Sequence, residues 1–464
     1  MVIFLPPLAG ISAGLLPRGT ISTASYKPLC SRVHRKNPLF LVRKVLVNGI
    51  KKMELENTDP DIYSLLEKEN LRQQETINLI ASENFVSPAV LEATASALTN
   101  KYSEGYPKKR YYQGNDIVDA IEIIAIERAK KLFGAEHANV QPYSGSPANA
   151  AVYMAFLDPG DTFIGFDLAC GGHLTHGHPI NFSGKTYKAV NYSVNKNTER
   201  IDMDEVRGLA FKHRPKMIVS GLTAYPREID FGAFQKIAEE IGAIHFADIS
   251  HIAGLIAGGS HPSPFPFCDV AMTTTHKTIR GPRGAIILSK KKYAKQIDRA
   301  VFPGTQGGPH DHVTAAKAVA LKEALSEDFK LYAKNITENA KALAGELTIR
   351  GIKLVTGGTD NHMILINLLP FGIGLGKPAA VALEKAGIVT NANTVPYDPS
   401  TPFKPSGIRI GTPALTTRGM KENEMAKIGN WIASIIEDPD NRDLQKNIRK
   451  EVGQLCGEFP IQPV

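Results

Sequence analysis

Ala243-Ile-His-Phe-Ala-Asp248 and Asp269-Val-Ala-Met-Thr-Thr-Thr-His-Lys277 are two short apolar runs that each lead out to a charged residue. Such runs are too short for helices and read as buried strands. Similar runs stand at 162 (TFIGF), 217 (MIVSGL) and 284 (GAIILS), and helix-length amphipathic stretches separate them. That alternation predicts βαβ units, hence an α/β fold with a largely parallel sheet covered on both faces. In open sheets of this kind ligands sit outside the carboxyl ends of the strands. Asp248 and Lys277 are therefore expected to share one crevice.

A lysine partly desolvated in such a crevice has a lowered pKa and can form a Schiff base with an aldehyde. An aspartate beside it can keep a pyridine nitrogen protonated and the ring an electron sink. An ordinary ion pair is the alternative. Two glycine-rich segments bear on the choice. Tyr143-Ser-Gly-Ser-Pro-Ala-Asn149 precedes an apolar helix, so its backbone N–H groups and the hydroxyls of Ser144 and Ser146 can receive a phosphate. Phe302-Pro-Gly-Thr-Gln-Gly-Gly-Pro309 is a second bare-backbone loop, and either loop alone is also explained as a turn. Neither matches a Walker loop or a GxGxxG turn, which disfavours nucleotide binding. His173, His176 and His178 lack an HExxH or Cys/His ligand set, so no metal is expected.

Outward from these segments, Asp59-Pro60 and Ser87-Pro88 read as helix starts, and a helix is predicted from about Asp116 to Phe133 with Gly134 as its stop. An Ala/Lys/Glu-rich stretch from about Asp311 to Leu347 reads as helical, and HMILINLL at 362 and GIRIGT at 407 open shorter elements. The expected division is a basic extension over 1–52, a helical arm over 53–115, a large domain over 116–340 and a smaller α+β domain over 341–464.

The 464 residues are 43% hydrophobic and carry a formal charge of +8, but that excess lies at the front. Residues 1–52 hold nine of the 54 Lys/Arg and no acid, so the remainder, with all 46 acidic residues, is one unit negative. A near-neutral body does not fit a nucleic-acid partner. No apolar run reaches the roughly 20 residues of a membrane helix. The leader has the composition of a transit peptide, and sequence upstream of a true start at Met53 is the alternative. The four cysteines are scattered without CxxC spacing, which fits a reducing compartment.

The blocks LIASENF at 79, NKYSEGYPKKRYY at 100, PYSGSPAN at 142, GGHLTHG at 171, DISHIAG at 248, TTTHKTIRGPRG at 273, FPGTQGGP at 302 and SGIRIGTPA at 406 stand in one order. With them the chain resembles the serine hydroxymethyltransferases, from about Asp59 to the C-terminus. These are pyridoxal-phosphate enzymes of the aspartate-aminotransferase-like fold type I, with a large, mostly parallel seven-stranded sheet domain and a smaller α+β domain. The resemblance implies a Schiff-base lysine at Lys277, a pyridine-nitrogen partner at Asp248 and a ring-stacking imidazole at His173. It implies phosphate contacts at Gly145, Ser146 and His276, and contacts near the ring oxygen at Thr223 and His251. Tyr102, Gly307 and Gly308 would reach the cofactor of a neighbouring subunit. Arg409 would grip the substrate carboxylate, supported by Ser82 and Tyr112. Glu104 would manage protons at the substrate hydroxyl and the folate, with Tyr111 beside that path. Leu168, Gly172, Leu174 and Asn393 would hold the folate. Gln113, Cys170, Ser250 and Thr223 depart from the usual pattern, which bears on substrate preference more than on reaction class.

The expected activity is the pyridoxal-phosphate-dependent conversion of serine and tetrahydrofolate to glycine and methylenetetrahydrofolate. A homodimer with shared sites is implied, with a tetramer as the alternative, and no nucleic acid or membrane partner. The expected compartment is the cytoplasm, or a mitochondrion or plastid if the leader is a transit peptide. A folate-independent aldolase acting on threonine-like substrates would use the same Lys277, Asp248 and Arg409.

Overall fold

A computed structural model of the chain describes residues 52–461. Both readings of the basic leader concern residues that, up to Lys51, lie outside the described residues. The chain divides into two compact units, Met1–Glu67 and Lys68–Val464. In the first, the helix Lys52–Thr58 is followed by the opening turns of the helix Pro60–Gln74, where Asp59 accepts a hydrogen bond from Ile62 N at 3.1 Å, as its N-cap reading expects.

The second unit is organised by a seven-stranded sheet. Its strands are β1 (His137–Asn139), β2 (Thr162–Phe166), β3 (Lys188–Tyr192), β4 (Met217–Gly221), β5 (Ile244–Asp248), β6 (Val270–Thr274) and β7 (Ala285–Ser289), in the spatial order β1-β7-β6-β5-β4-β2-β3. Strands β3, β2, β4, β5 and β6 run parallel, with Asp248 opposite Gly221 on one side and Met272 on the other. β7 was expected to continue the parallel alternation, and it does not: it pairs antiparallel with β6, Ala285 opposite Thr274, and β1 pairs antiparallel with β7. The cause is length. Residues 275–284 are fewer than the dozen or so that a parallel crossover needs.

Alternate residues of each strand point to opposite faces, and both faces are buried. Phe163, Met217, Val219, Phe246 and Val270 pack on one side with Val152 and Tyr153 of the Gly145–Phe156 helix. Ile164, Ile218, Ala247 and Ala271 pack on the other with Phe133, Leu321 and Phe329. This explains why the strands read as unbroken apolar runs.

The Asp116–Phe133 helix stops at Gly134, whose φ of +68° is the left-handed conformation that lets a chain leave a helix. Ser87 caps the Pro88–Thr94 helix through Val90 N. The stretch expected to be one helix from Asp311 is two, Asp311–Ala324 and Glu327–Ile349. Ser326 restarts it by accepting from Phe329 N at 3.2 Å, with Glu327 and Asp328 in the new first turn.

A second, three-stranded antiparallel sheet is made by β8 (Met363–Asn367), β9 (Asn391–Asn393) and β10 (Gly407–Gly411), in the order β8-β10-β9. Arg409, at the middle of β10, lies opposite Leu365 and Asn391. Ile364, Ile366, Ile408 and Ile410 pack with Trp431 and Ile432 in a separate apolar cluster. Among the described residues no helix is long and apolar enough to cross a membrane.

Candidate active site

The carboxyl ends of β4, β5 and β6 open onto a cavity of about 410 Å³. Ser82, Gly145, Ser146, His173, Thr223, Asp248, His251, His276, Lys277 and Arg409 all line it. Asp248 and Lys277 thus share one cavity as the strand-end argument expected, and the other eight residues, named through the resemblance, line the same cavity.

Asp248 ends β5 and is 5% exposed. One carboxylate oxygen accepts from Ser250 Oγ (2.6 Å) and Ser250 N (3.1 Å). The other accepts from Asn149 Nδ2 (2.9 Å) and lies 3.3 Å from His176 Nε2. Burial opposes the charge, but the hydrogen-bonding contacts from His176 and Asn149 overrule it and hold the carboxyl well below the usual range. Asp248 is an anion fixed at the floor of the cavity.

Lys277 stands three residues beyond β6. Its carbonyl accepts from Asn84 Nδ2 at 3.0 Å, and the next residue, Thr278, donates through Oγ1 to His251 O at 2.9 Å. Gly254 lies so close to this turn that a Cβ would stand 2.2 Å from Thr278 O. Burial draws the pKa of Lys277 down to about 8; Asp248 opposes that, and Arg409 and Arg283 add to it. About a tenth of this amine is then unprotonated at pH 7, far more than at the ordinary lysine value.

His173 Nδ1 accepts from Thr175 N at 3.2 Å and lies 2.7 Å from Thr175 Oγ1, which itself accepts from Asn149 Nδ2 at 2.7 Å. A ring nitrogen that accepts a backbone N–H carries no proton. Burial, then the neighbouring His176, pulls the His173 pKa down to about 4, so the ring is neutral.

At the opposite end the Gly145–Phe156 helix begins at the cavity wall, and no side chain caps it. A Cβ at Gly145 would be 2.8 Å from Thr274 Cγ2, so only glycine lets the helix start this close to β6. Beside it His276 Nδ1 is buried without a hydrogen-bond partner, and burial brings the His276 pKa down to about 3. Free helix N–H groups, the Ser144 and Ser146 hydroxyls and an orphaned imidazole nitrogen suit a phosphate. Asp248 faces the same cavity as a ring-nitrogen partner would, and Lys277 offers an amine. The residues present therefore fit pyridoxal phosphate.

Arg409 is 8% exposed, donates from Nη1 to Thr223 O (2.7 Å) and from Nε to Asn391 Oδ1 (3.1 Å), and burial brings its pKa down to about 10. No carboxylate of the described residues forms an ion pair with it. A buried guanidinium without a counter-charge is a receptor for an external carboxylate. His251 stacks on His362, ring centres 5.5 Å apart, with Nδ1 and Nε2 at 3.3 Å.

A second group of expected residues lies outside the cavity lining. Tyr102 OH donates to Glu104 Oε1 at 3.3 Å and packs edge-on to Tyr112. Tyr111 packs on Phe302, and Tyr143 OH donates to Gly308 O at 2.7 Å. Gly307 and Gly308 lie against Glu104 and the Tyr102 ring. Tyr102, Tyr111 and Tyr112 are exposed, Tyr111 by 71%. Leu168, Gly172 and Leu174 sit on the loop after β2, and Asn393 sits on β9 with its Nδ2 bonded to Thr394 O; none of the four lines the cavity.

Asn149, Thr175, His176 and Ser250 build the Asp248–His173 network and were not among the expected site residues. The segment 143–149 was read as lying before a helix, whereas the helix starts at Gly145, which puts Asn149, four residues on, on the same face.

A family model described as serine hydroxymethyltransferase matches residues 55–432. The chain is 57% identical over 406 residues to a serine hydroxymethyltransferase of Sorangium cellulosum, covering 88% of this chain and 96% of that protein. It is 54% identical over 409 residues to one of Acidobacterium capsulatum, with 88% and 96% covered. For one of Desulfotalea psychrophila the figures are 56% over 406 residues, with 88% and 95% covered.

Proposed function

The chain belongs to the serine hydroxymethyltransferase family and is an enzyme of that activity; from this premise we propose that its cavity binds pyridoxal phosphate on Lys277 and converts serine and tetrahydrofolate to glycine and methylenetetrahydrofolate. One observation supports this most directly. A fixed anion (Asp248), an amine of depressed pKa (Lys277) and an uncompensated guanidinium (Arg409) face one cavity.

Gly145, Ser146 and His276 would hold the cofactor's phosphate, Thr223 and His251 would contact it near the ring oxygen, and His173 would meet the ring as a neutral imidazole. Pyridoxal phosphate, when bound, supplies the electron sink for breaking the bond between the α-carbon and the hydroxymethyl carbon of serine. Asp248, kept ionised, holds the proton at the pyridine nitrogen. Arg409 grips the serine carboxylate bidentately, and its bonds to Thr223 O and Asn391 orient the fork, with Ser82 in the same cavity and Tyr112 serving from the exposed group around Tyr102. Glu104 handles the proton of the serine hydroxyl, with Tyr111 next to it. Leu168, Gly172, Leu174 and Asn393 hold the folate.

The exposure of Tyr102, and the position of Tyr102 and Glu104 outside the cavity lining of their own chain, support a homodimer in which they, with Gly307 and Gly308, serve the partner's cofactor. We read 116–340 as the large domain, 341–464 as the small one, and 53–115 as the arm that presents Tyr102 and Glu104. A cytoplasmic location is part of the proposal; the described cysteines are free and buried. The test is glycine formation from serine by purified enzyme with and without tetrahydrofolate. Strong dependence on folate is expected, and equal rates without it favour the aldolase reading.

A further inference from the structure

Lys317 has no part in the chemistry described above, yet it is among the most deeply buried side chains of the molecule. It lies on the Asp311–Ala324 helix, 2% exposed, and its Nζ donates to three main-chain carbonyls: Val140 at 2.6 Å, Ala285 at 2.9 Å and Pro142 at 3.0 Å. Those carbonyls belong to two segments. Residues 140–142 lead directly into Ser144 and the helix that starts at Gly145. Residues 284–285 return from Lys277 into β7, and Gly284 O accepts from Thr275 N, two residues before Lys277, at 3.0 Å. One main-chain bond, Ala285 N to Pro142 O at 3.2 Å, joins the two segments directly. Lys317 adds three more bonds across that seam.

The side chain reaches this point because residue 284 is glycine. A Cβ there would stand 2.4 Å from Lys317 Cε and 3.1 Å from its Nζ. No carboxylate of the described residues forms an ion pair with Lys317. Burial pulls its pKa down to about 7 against the opposing charge of Glu122, and the three carbonyl contacts also favour the ammonium, since only it has three N–H groups for three acceptors. The neutral amine would leave one buried carbonyl facing a lone pair. Three carbonyl oxygens converging on one buried positive charge form a cation site whose occupant is covalently attached.

We propose that Lys317 is a positioning residue whose ammonium acts as a built-in cation, locking the phosphate-receiving turn at 142–146 against the segment that carries Lys277. The inference rests on the reading that pyridoxal phosphate binds this cavity.

The test titrates the full-length, cofactor-free protein with pyridoxal phosphate. Lys317→Met keeps most of the side-chain volume and removes the donors; its affinity is expected to fall roughly ten- to a hundredfold, the effect of stranding buried carbonyls. Lys317→Ala is expected to lose as much and to recover most of it in n-propylammonium, which fits the vacated channel, whereas Lys317→Met, with the channel filled, is not rescued. A side chain that merely fills space predicts no such difference. Gly284→Ala displaces the ammonium without removing it and is expected to weaken cofactor binding too, which keeps the test open if Lys317→Met does not fold. Unchanged affinity in Lys317→Met or in Gly284→Ala, or a Lys317→Ala defect that propylammonium leaves untouched, overturns the inference. Failure of the unmodified protein to bind the cofactor would instead remove the reading beneath it.

Discussion

The cavity at the strand ends and the exposed group around Tyr102 were expected to form one site, and within a single chain they differ in every physical respect. The cavity is buried and internally braced: Asp248 is held through four contacts by Ser250, Asn149 and His176, His173 is held by Thr175, and Arg409 is oriented by Thr223 and Asn391. In the outer group the rings of Tyr102, Tyr111 and Tyr112 lie open to solvent, and Tyr102 and Glu104 are joined by a long bond of 3.3 Å. Groups that must be pre-set before a substrate arrives are held by packing. Groups left open at the surface are those that we propose complete their work against a partner subunit.

The comparison can be broken or sharpened by substitution. The largest effect is expected at Lys277. Lys277→Arg keeps a positive charge but offers no nucleophilic amine, and serine turnover should fall by more than about 10⁴-fold, above the range ascribed to proton transfer alone. Asp248→Asn keeps the shape and removes the fixed anion. Its kcat should drop by roughly 10²- to 10³-fold, the size expected when one member of a buried charge pair is lost. Arg409→Lys replaces a planar fork by a point charge, and KM for serine should rise about tenfold to a hundredfold with a smaller change in kcat. These three variants act on the cavity and are measured by steady-state kinetics.

The outer group is probed by mixing. Glu104→Gln and Lys277→Arg are each expected to be inactive alone. If Glu104 serves the partner's cavity, subunits of the two variants refolded together contain one intact site in every mixed dimer, and about a quarter of the original activity should return. No recovery would return Glu104 to its own chain's site. The smallest expected effect is on pH. With the Lys277 pKa lowered to about 8, the rate at which cofactor-free enzyme captures pyridoxal phosphate should rise with pH through 8 as the amine loses its proton. It should then level off, gaining less than about twofold from pH 8 to 9. A lysine at its ordinary value would keep accelerating tenfold per unit there.

Legibility in the sequence followed the same division. Asp248 and Lys277 could be placed in one crevice from periodicity alone, because strand ends of a parallel sheet have a fixed side for ligands. The stop at Gly134 and the caps at Asp59 and Ser87 were local and therefore readable. The direction of β7 was a matter of linker length, and the restart at Ser326 of a cap inside an unbroken helical composition. Tyr102, Glu104 and the folate-side residues were named only through the family resemblance, since nothing in their spacing tells a solvated loop from a site. His362 and Lys317 escaped notice for a different reason. Each acts through contacts between segments far apart in the chain, His251 and His362 being 111 positions apart, and no local pattern encodes such a meeting.

The central claim is that one amine, at the mouth of the sheet, carries the cofactor. Protein supplied with pyridoxal phosphate, reduced with borohydride and digested should yield a single peptide bearing the cofactor's mass, the one containing Lys277. A tag on any other lysine, or none from protein that has been fully supplied, would contradict the account.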